Sequence, residues 1–114
     1  MGMMRVIVDE GLADTFFIEE RCENFEVFKK SLESFDLGFV ERITGVTGEE
    51  VAKAARLYAT NKPATILYNM GITQHTHGVD NVLALTNLAM LTGNVGKPSA
   101  GVNPLRGQNN VQGA

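Results

Sequence analysis

The chain has 114 residues and a mass of 12.4 kDa, which is enough for one small domain and too little for two. No apolar run approaches the roughly 18 to 20 residues that a membrane-spanning helix needs, so direct membrane insertion is not expected. A formal net charge of −3 gives no general reason to expect nucleic acid as a partner. The single cysteine, Cys22, excludes a disulfide framework and any CxxC-type site built from this chain alone. With no secretory leader visible, these features favour a cytoplasmic protein.

Charge is distributed unevenly along the chain. Twelve of the 13 acidic residues lie within residues 1–60, and after Asp80 the only charged residues are Lys97 and Arg106. We therefore expect a single domain fragment with three parts. These are an acidic helical part (1–60), a strand–loop–helix part (61–93) and a glycine- and asparagine-rich loop segment (94–114).

The first part predicts a series of short helices. Residues 3–11 are too few for periodicity to distinguish a helix from a strand. After them, polar residues with N-cap chemistry precede apolar residues at helical spacing, and glycines follow. The expected boundaries are, in chain order, Gly11, Asp14 or Thr15, Asn24, Asp36 and Gly45.

A capping box opens the next helix, because Thr47 is followed three residues later by Glu50. This helix should stop before Pro63. Its buried face is predicted to be Val51, Ala54, Ala55 and Tyr58.

The run 64–68 that follows is predicted to be a buried strand, since it is apolar and lies between a proline and a glycine. The segment 79–92 is apolar almost all round, which indicates a helix buried on most sides and ended at Gly93-Asn94. This order of elements fits an α/β class, namely a helix-rich fragment of a layered, dinucleotide-binding-like fold with a parallel sheet. Because only one strand is predicted, we expect a piece of a larger protein.

The loop 71–78 is a candidate ligand site. It follows a strand and precedes a helix, the position at which open α/β sheets bind ligands. Gly71 permits close approach of a bulky ligand, and Gln74 can donate and accept hydrogen bonds. An ordinary polar connection is the alternative. The pair His75 and His77 lacks a third ligand in reach, so hydrogen-bonding or solvated histidines are favoured over zinc.

The run 93–99 superficially resembles a phosphate-binding loop, but its spacing is not GxxxxGK[ST] and it follows a helix where a P-loop must precede one. A nucleotide triphosphatase is therefore rejected. The run 101–114 places Arg106 among amides and glycines with no acid nearby in sequence. A guanidinium without a carboxylate partner suits an anion or polar ligand. A solvated loop is the alternative.

Three runs together carry a family resemblance: NMGITQH at 69–75, LAMLTGNVGKP at 88–98 and GVNPLRGQNNVQGA at 101–114. They resemble the large catalytic (alpha) subunit of molybdopterin-dependent formate dehydrogenases. The acidic first half resembles the stretch before these motifs, so the resemblance covers essentially the whole chain. The first two patterns occur across the wider molybdopterin oxidoreductase superfamily, whereas RGQNNVQGA is much more particular to formate dehydrogenases.

The resemblance implies roles for named residues. Arg106 matches the arginine that holds the formate carboxylate, and Gln108 matches a glutamine close to the same centre, so these two are the candidate catalytic residues. The implied cofactor-binding residues are Met70, Gly71, Gln74, Gly107 and Asn109. No residue of this chain is implied as a metal ligand, and Cys22 matches none of the family's functional cysteines and is interpreted as a structural thiol.

The resemblance also implies a much longer enzyme. Such enzymes oxidise formate to carbon dioxide with two-electron transfer, using molybdenum or tungsten held by bis-molybdopterin guanine dinucleotide, and usually an iron–sulfur cluster bound outside the region matched here. The implied partners are formate, the rest of the catalytic subunit and electron-transfer subunits. We expect the isolated chain to be inactive and to expose apolar surface. The alternatives are a stand-alone helical interaction module or a piece of another superfamily member such as a nitrate reductase.

Overall fold

The computed structural model describes residues 1–105 and 107. Its elements form a helical part, a two-stranded parallel sheet and a helix that connects the two strands. In chain order the elements are α1 (Gly2–Asp9), α2 (Thr15–Arg21), α3 (Phe25–Ser31), a 3₁₀ turn (Leu32–Ser34), α4 (Leu37–Thr44), α5 (Gly48–Thr60), β1 (Thr65–Tyr68), α6 (Met70–Thr73), α7 (Gly78–Leu91) and β2 (Gly101–Pro104).

The core is built around α1. Met4 and Ile7 are fully buried, and α1 packs against α5, α7 and the 3₁₀ turn that carries the buried Leu32. The segment 3–11, which periodicity left undecided, is thus a helix, and Gly11 follows it with a positive φ of 66°. A helix so short is stable because its apolar face is buried by its neighbours.

Local capping signals locate most helix starts correctly. The carboxylates of Asp14 and Asp36 accept hydrogen bonds from the backbone N–H groups of Phe17 and Phe39, at 3.1 and 2.9 Å. The capping box of Thr47 and Glu50 is present in full. The prediction for Asn24 is wrong in its chemistry: this residue precedes α3, but it has a left-handed backbone and its side chain makes no capping hydrogen bond.

The buried face of α5 is only partly as predicted. Ala55 is buried and Val51 and Tyr58 are half-buried, but Ala54 is exposed, and Ala52 and Ala59 are buried instead. Because α5 packs against α1 on one side and α4 on another, its tertiary neighbours choose among several alanine-rich faces that periodicity alone does not rank.

The prediction that α7 is buried on most sides is wrong for its first half. Val79 and Leu83 are 76% and 54% exposed, and apart from Gly78 the buried residues of α7 lie between Leu88 and Leu91. The described neighbours cover α7 mainly toward its C-terminal end, where the Asp14 N–H donates to the Leu91 carbonyl at 2.9 Å.

The sheet confirms the α/β class. β1 and β2 are parallel, with Thr65 paired to Gly101 and Tyr68 paired to Pro104, and α7 packs against both strands. The sequence does not predict β2, which lies inside the segment 94–114 that was expected to be a loop. β1 is also less buried than predicted, because its side chains alternate between exposed and half-buried and no described element covers its outer face.

Asn94 links the end of α7 to the start of β1. Its side chain is fully buried, and its carbonyl oxygen accepts a hydrogen bond from the Ala64 N–H at 3.0 Å while its amide group donates to the Thr92 hydroxyl at 2.9 Å. Gly93, with a φ of 66°, leaves room for the Asp14 carboxylate, which any Cβ at this position would overlap. The run TGN at 92–94 is therefore a buried junction of α2, β1 and α7.

Apolar side chains are exposed over several elements, as the sequence predicts. The most exposed large ones are Phe16, Val27, Ile43, Leu57 and Val79. Within the described part of the chain, no helix combines the length and the apolarity that crossing a bilayer demands.

We expect Asn94→Ala to reduce the free energy of unfolding by about 2–3 kcal/mol, because it leaves the Ala64 N–H without its partner. Chemical denaturation of the chain measures this. Asn61→Ala is the matched control, since Asn61 is exposed and bonds only to its own helix and to Thr60. Equal losses in the two variants would contradict the role of Asn94.

An ion pair between Glu10 and Arg56 makes stability depend on pH. Two hydrogen bonds of 2.8 and 2.7 Å join the side chains, and they lower the pKa of Glu10 from its ordinary value of 4.5. A lowered carboxyl pKa stabilises the fold fully above the ordinary value, and this contribution is lost as the pH falls through the folded-state pKa.

We therefore expect wild type to lose more stability than Glu10→Gln between about pH 5 and pH 3. Denaturation curves across this range provide the measurement. Glu33→Gln, which removes an exposed acid that has no ion pair among the described residues, should follow wild type. Parallel losses in wild type and Glu10→Gln would exclude the proposed linkage.

Candidate functional site

The parallel pairing brings two predicted site segments to one edge of the sheet. β1 ends at Tyr68 and β2 at Pro104, and these residues are partners in the register. The pairing continues for one more step, because the Leu105 N–H donates to the Tyr68 carbonyl at 2.7 Å. The segments that begin at Asn69 and at Leu105 thus leave the same edge, where parallel α/β sheets bind their ligands.

The first segment turns sharply as it leaves β1. Asn69 is extended, and its side-chain oxygen accepts a hydrogen bond from the Met70 N–H at 2.9 Å. This cap starts α6, a single turn of four residues. Asn69 was not predicted as a site residue, although an asparagine directly after a strand is a recognisable cap signal.

Contacts from the following loop and helix hold this turn. The Asn81 side-chain amide donates to the Ile72 carbonyl at 2.9 Å, and the His75 ring nitrogen Nε2 lies 2.9 Å from the Gly71 carbonyl oxygen. Gly78 packs directly on the Thr73 carbonyl, so closely that a Cβ at residue 78 would overlap its oxygen. The sequence predicted none of these three contacts as such.

The predicted cofactor-binding residues of this turn face outward. Met70 is 55% exposed, Gly71 and Gln74 are exposed, and no atom lies within 4 Å of the position that a Cβ of Gly71 would occupy. Open backbone and free amide groups together suit a large polar group that needs many neutral donors and acceptors. The described part of the site therefore fits the predicted cofactor.

A shallow apolar hollow lies beside the turn. It has a volume of about 370 Å³ and is lined by Tyr68, Thr73, Gly78, Val79, Val82 and Leu83. Tyr68 belongs to β1, Thr73 to α6 and the other four lining residues to α7.

The two histidines are engaged separately. His75 lies against Gly71, whereas His77 Nδ1 is 3.5 Å from the Asp80 carboxylate. Among residues 1–105 and 107, no three histidine, cysteine or acidic side chains converge closely enough to hold a metal ion. Cys22 is half-buried and lines a separate groove between α2, α3 and α7.

Only part of the second segment is described. Gly107 is exposed. Leu105, the last described residue before it, donates its N–H to the Tyr68 carbonyl of β1. Arg106, Gln108 and Asn109 lie outside the described residues, so their predicted roles stay predictions. The structure brings the first residues of the two segments, Asn69 and Leu105, to the same edge of the sheet.

We expect Gly78→Ala to lower the free energy of unfolding by about 2 kcal/mol, because the new methyl group meets the Thr73 carbonyl. Gly71→Ala is the matched control. Its Cβ enters open space within a helix, so stability should stay equal or rise by about 0.5 kcal/mol. Thermal or chemical denaturation of both variants provides the comparison, and a neutral Gly78→Ala would refute the close packing.

Comparison with known proteins identifies the family of this chain. A family model described as molybdopterin oxidoreductase matches residues 1–114. The chain is 55% identical over 113 residues to "Formate dehydrogenase H" of Escherichia coli strain K12, covering 99% of this chain and 16% of that protein.

Two archaeal proteins are similarly related. "F420-dependent formate dehydrogenase 1 subunit alpha" of Methanococcus maripaludis and "F420-dependent formate dehydrogenase subunit alpha" of Methanocaldococcus jannaschii are each 51% identical over 113 residues, covering 99% of this chain and 17% of each protein. The chain thus spans about one sixth of the length of these relatives. Since the family model matches it from end to end, the chain belongs to the molybdopterin oxidoreductase family.

Proposed function

We propose that this chain is part of the catalytic subunit of a formate dehydrogenase, which oxidises formate to carbon dioxide with the transfer of two electrons. The observation that carries the proposal is the pairing of β1 with β2, which starts the segments after Tyr68 and Pro104 from one sheet edge. The names of the relatives support the substrate, because all three are formate dehydrogenases.

The proposed substrate ligand is Arg106, and Gln108 is proposed to act at the same centre. A guanidinium binds a planar carboxylate through two parallel charge-assisted hydrogen bonds, which fix both the position and the orientation of a small anion such as formate. Asp80 is the only acid after Glu50, and it lies beside His77. Local sequence thus leaves little negative charge to compete with formate.

The proposed cofactor is bis-molybdopterin guanine dinucleotide with molybdenum or tungsten, and Met70, Gly71, Gln74, Gly107 and Asn109 are proposed to contact it. When bound, the metal centre supplies the two-electron redox chemistry. The residues of the chain bind and orient: Gly71 leaves its backbone open, Gln74 offers an amide, and the Asn69 cap fixes where the turn begins.

Other parts of the proposed enzyme lie beyond this chain. An iron–sulfur cluster bound by the rest of the catalytic subunit and electron-transfer subunits are proposed from the resemblance, and a cytoplasmic location from the low cysteine content. Because the catalytic metal ligand is not in the matched motifs, we expect the 114-residue chain alone to show no formate oxidation and no stoichiometric molybdenum. Turnover by the purified chain, free of intact host enzyme, would contradict this.

In the full-length enzyme, we expect Arg106→Lys to reduce kcat/KM for formate by roughly ten- to a hundredfold, since it keeps the charge but loses the planar fork. Arg106→Ala should reduce it further and weaken inhibition by small anions. Lys97→Ala, which removes an exposed cation before β2, is the control and should leave formate kinetics unchanged. Unchanged kinetics of Arg106→Ala at full metal loading would remove this residue from the substrate site.

Gln74→Ala should act differently. We expect it to lower cofactor occupancy more than formate affinity, because the Gln74 amide lies on the turn proposed to contact the pterin. Pterin and metal content per mole, measured beside formate KM, separate the two effects. Thr76→Ala, a change at an exposed neighbour, should preserve occupancy, and a formate KM effect of Gln74→Ala without loss of cofactor would argue against the assignment.

A further inference from the structure

The turn that is proposed to face the cofactor cannot hold its own shape. α6 has four residues, and isolated helices of this length are unstable in water. The turn also has more carbonyl groups than its own backbone N–H groups can pair. The Asn69 and Met70 carbonyls accept hydrogen bonds from backbone N–H groups of the turn. The Gly71 and Ile72 carbonyls are instead paired with the side chains of His75 and Asn81.

Two side chains complete the turn, and they differ in exposure. The His75 ring beside the Gly71 carbonyl is exposed, so water can replace it. The Asn81 bond to the Ile72 carbonyl is partly buried and spans nine residues of sequence. Within residues 1–105 and 107, it is the only side-chain hydrogen bond between α6 and α7.

We propose that Asn81 is a positioning residue for the cofactor: its amide fixes α6 against α7 and thereby determines which way Met70, Gly71 and Gln74 face. This inference rests on the proposed function. Asn81 acts through Ile72 and is not itself proposed to touch the pterin. The second restraint on the turn is steric, because Gly78 packs on the Thr73 carbonyl one residue after Ile72.

The placement of Asn81 fits this role. Asn81 is the fourth residue of α7, between Asp80 and Val82, and asparagine is a weak helix former because its amide competes for backbone hydrogen bonds. Here the amide is used across elements instead. Asn87 offers a comparison two turns later: it is also half-buried on α7, and its side chain makes no hydrogen bond with any residue that the structure describes.

The test uses the full-length holoenzyme with Asn81→Ala, Asn81→Asp and Asn81→Gln, and with Asn87→Ala as the matched control. Asp has nearly the same volume but cannot donate when ionised, whereas Gln keeps an amide donor on a longer arm. Two readouts are measured: hydrogen exchange of the backbone amides in residues 70–75, and pterin released per mole of enzyme on denaturation.

We expect the Ala and Asp variants to exchange on the order of tenfold faster in residues 70–75, the effect of losing one partly buried hydrogen bond. Exchange in α1 and α5 should be unchanged, and pterin content should fall by half or more. Asn81→Gln should restore slow exchange and pterin content at least in part, and Asn87→Ala should match wild type.

Several results would overturn the proposal. Unchanged exchange in residues 70–75 would show that the bond does not hold the turn, and faster exchange with normal pterin content would show that the cofactor does not depend on it. Faster exchange in α1 as well, or equal loss in the Gln and Asp variants, would indicate a general role in stability. Neither readout uses formate, so a holoenzyme that binds pterin without oxidising formate would contradict only the proposed activity.

Discussion

The buried amide of Asn94 is the interaction on which the geometry of this chain depends. Its side-chain oxygen accepts from the Ala64 N–H one residue before β1 begins, and the backbone N–H of Asn94 donates to the Ala89 carbonyl near the end of α7. One residue therefore fixes where the strand starts relative to the helix that follows it. Burial makes this arrangement obligatory, because a buried N–H without a partner costs about 1–3 kcal/mol. Burial also raises the pKa of the nearby Tyr58 hydroxyl, and the neighbouring Thr92 and Asn94 side chains offset part of that rise.

Because the start of β1 is fixed, its register with β2 also fixes where the carboxyl ends of the two strands lie. β1 runs only four residues from Thr65 to Tyr68, too short a distance for the strand to bend or slip without losing its pairing to β2. The buried junction at residues 92–94 lies at the amino end of β1, and the exposed candidate site lies at its carboxyl end. A defect in the buried junction should therefore move the site without touching it, and a change in the exposed turn should leave the junction intact.

The sequence predicts features that depend on residues close in the chain and misses those that depend on tertiary contacts. The caps at Asp14, Asp36 and Thr47 are recognisable because donor and acceptor lie three residues apart. β2 escapes prediction because a four-residue run, Gly101–Pro104, becomes a strand only by pairing with β1, which lies 36 residues earlier. The same limit applies to the site. Gln74 and Arg106 stand out in the sequence by their chemistry and position, and the resemblance predicts their roles, whereas Asn81 is significant only because folding brings it to the Ile72 carbonyl.

The candidate site is shaped by hydrogen bonds more than by burial. Two parallel strands make a small sheet, and Val79 and Leu83 in the first half of α7 are largely exposed. Hydrophobic contacts alone would leave the turn loosely placed, since they are non-directional. The Asn69 cap and the Asn81 amide supply direction instead, and each uses an uncharged group. Because these two groups are neutral, they add no net charge beside the ligand, which suits the proposed pairing of the Arg106 guanidinium with the formate carboxylate.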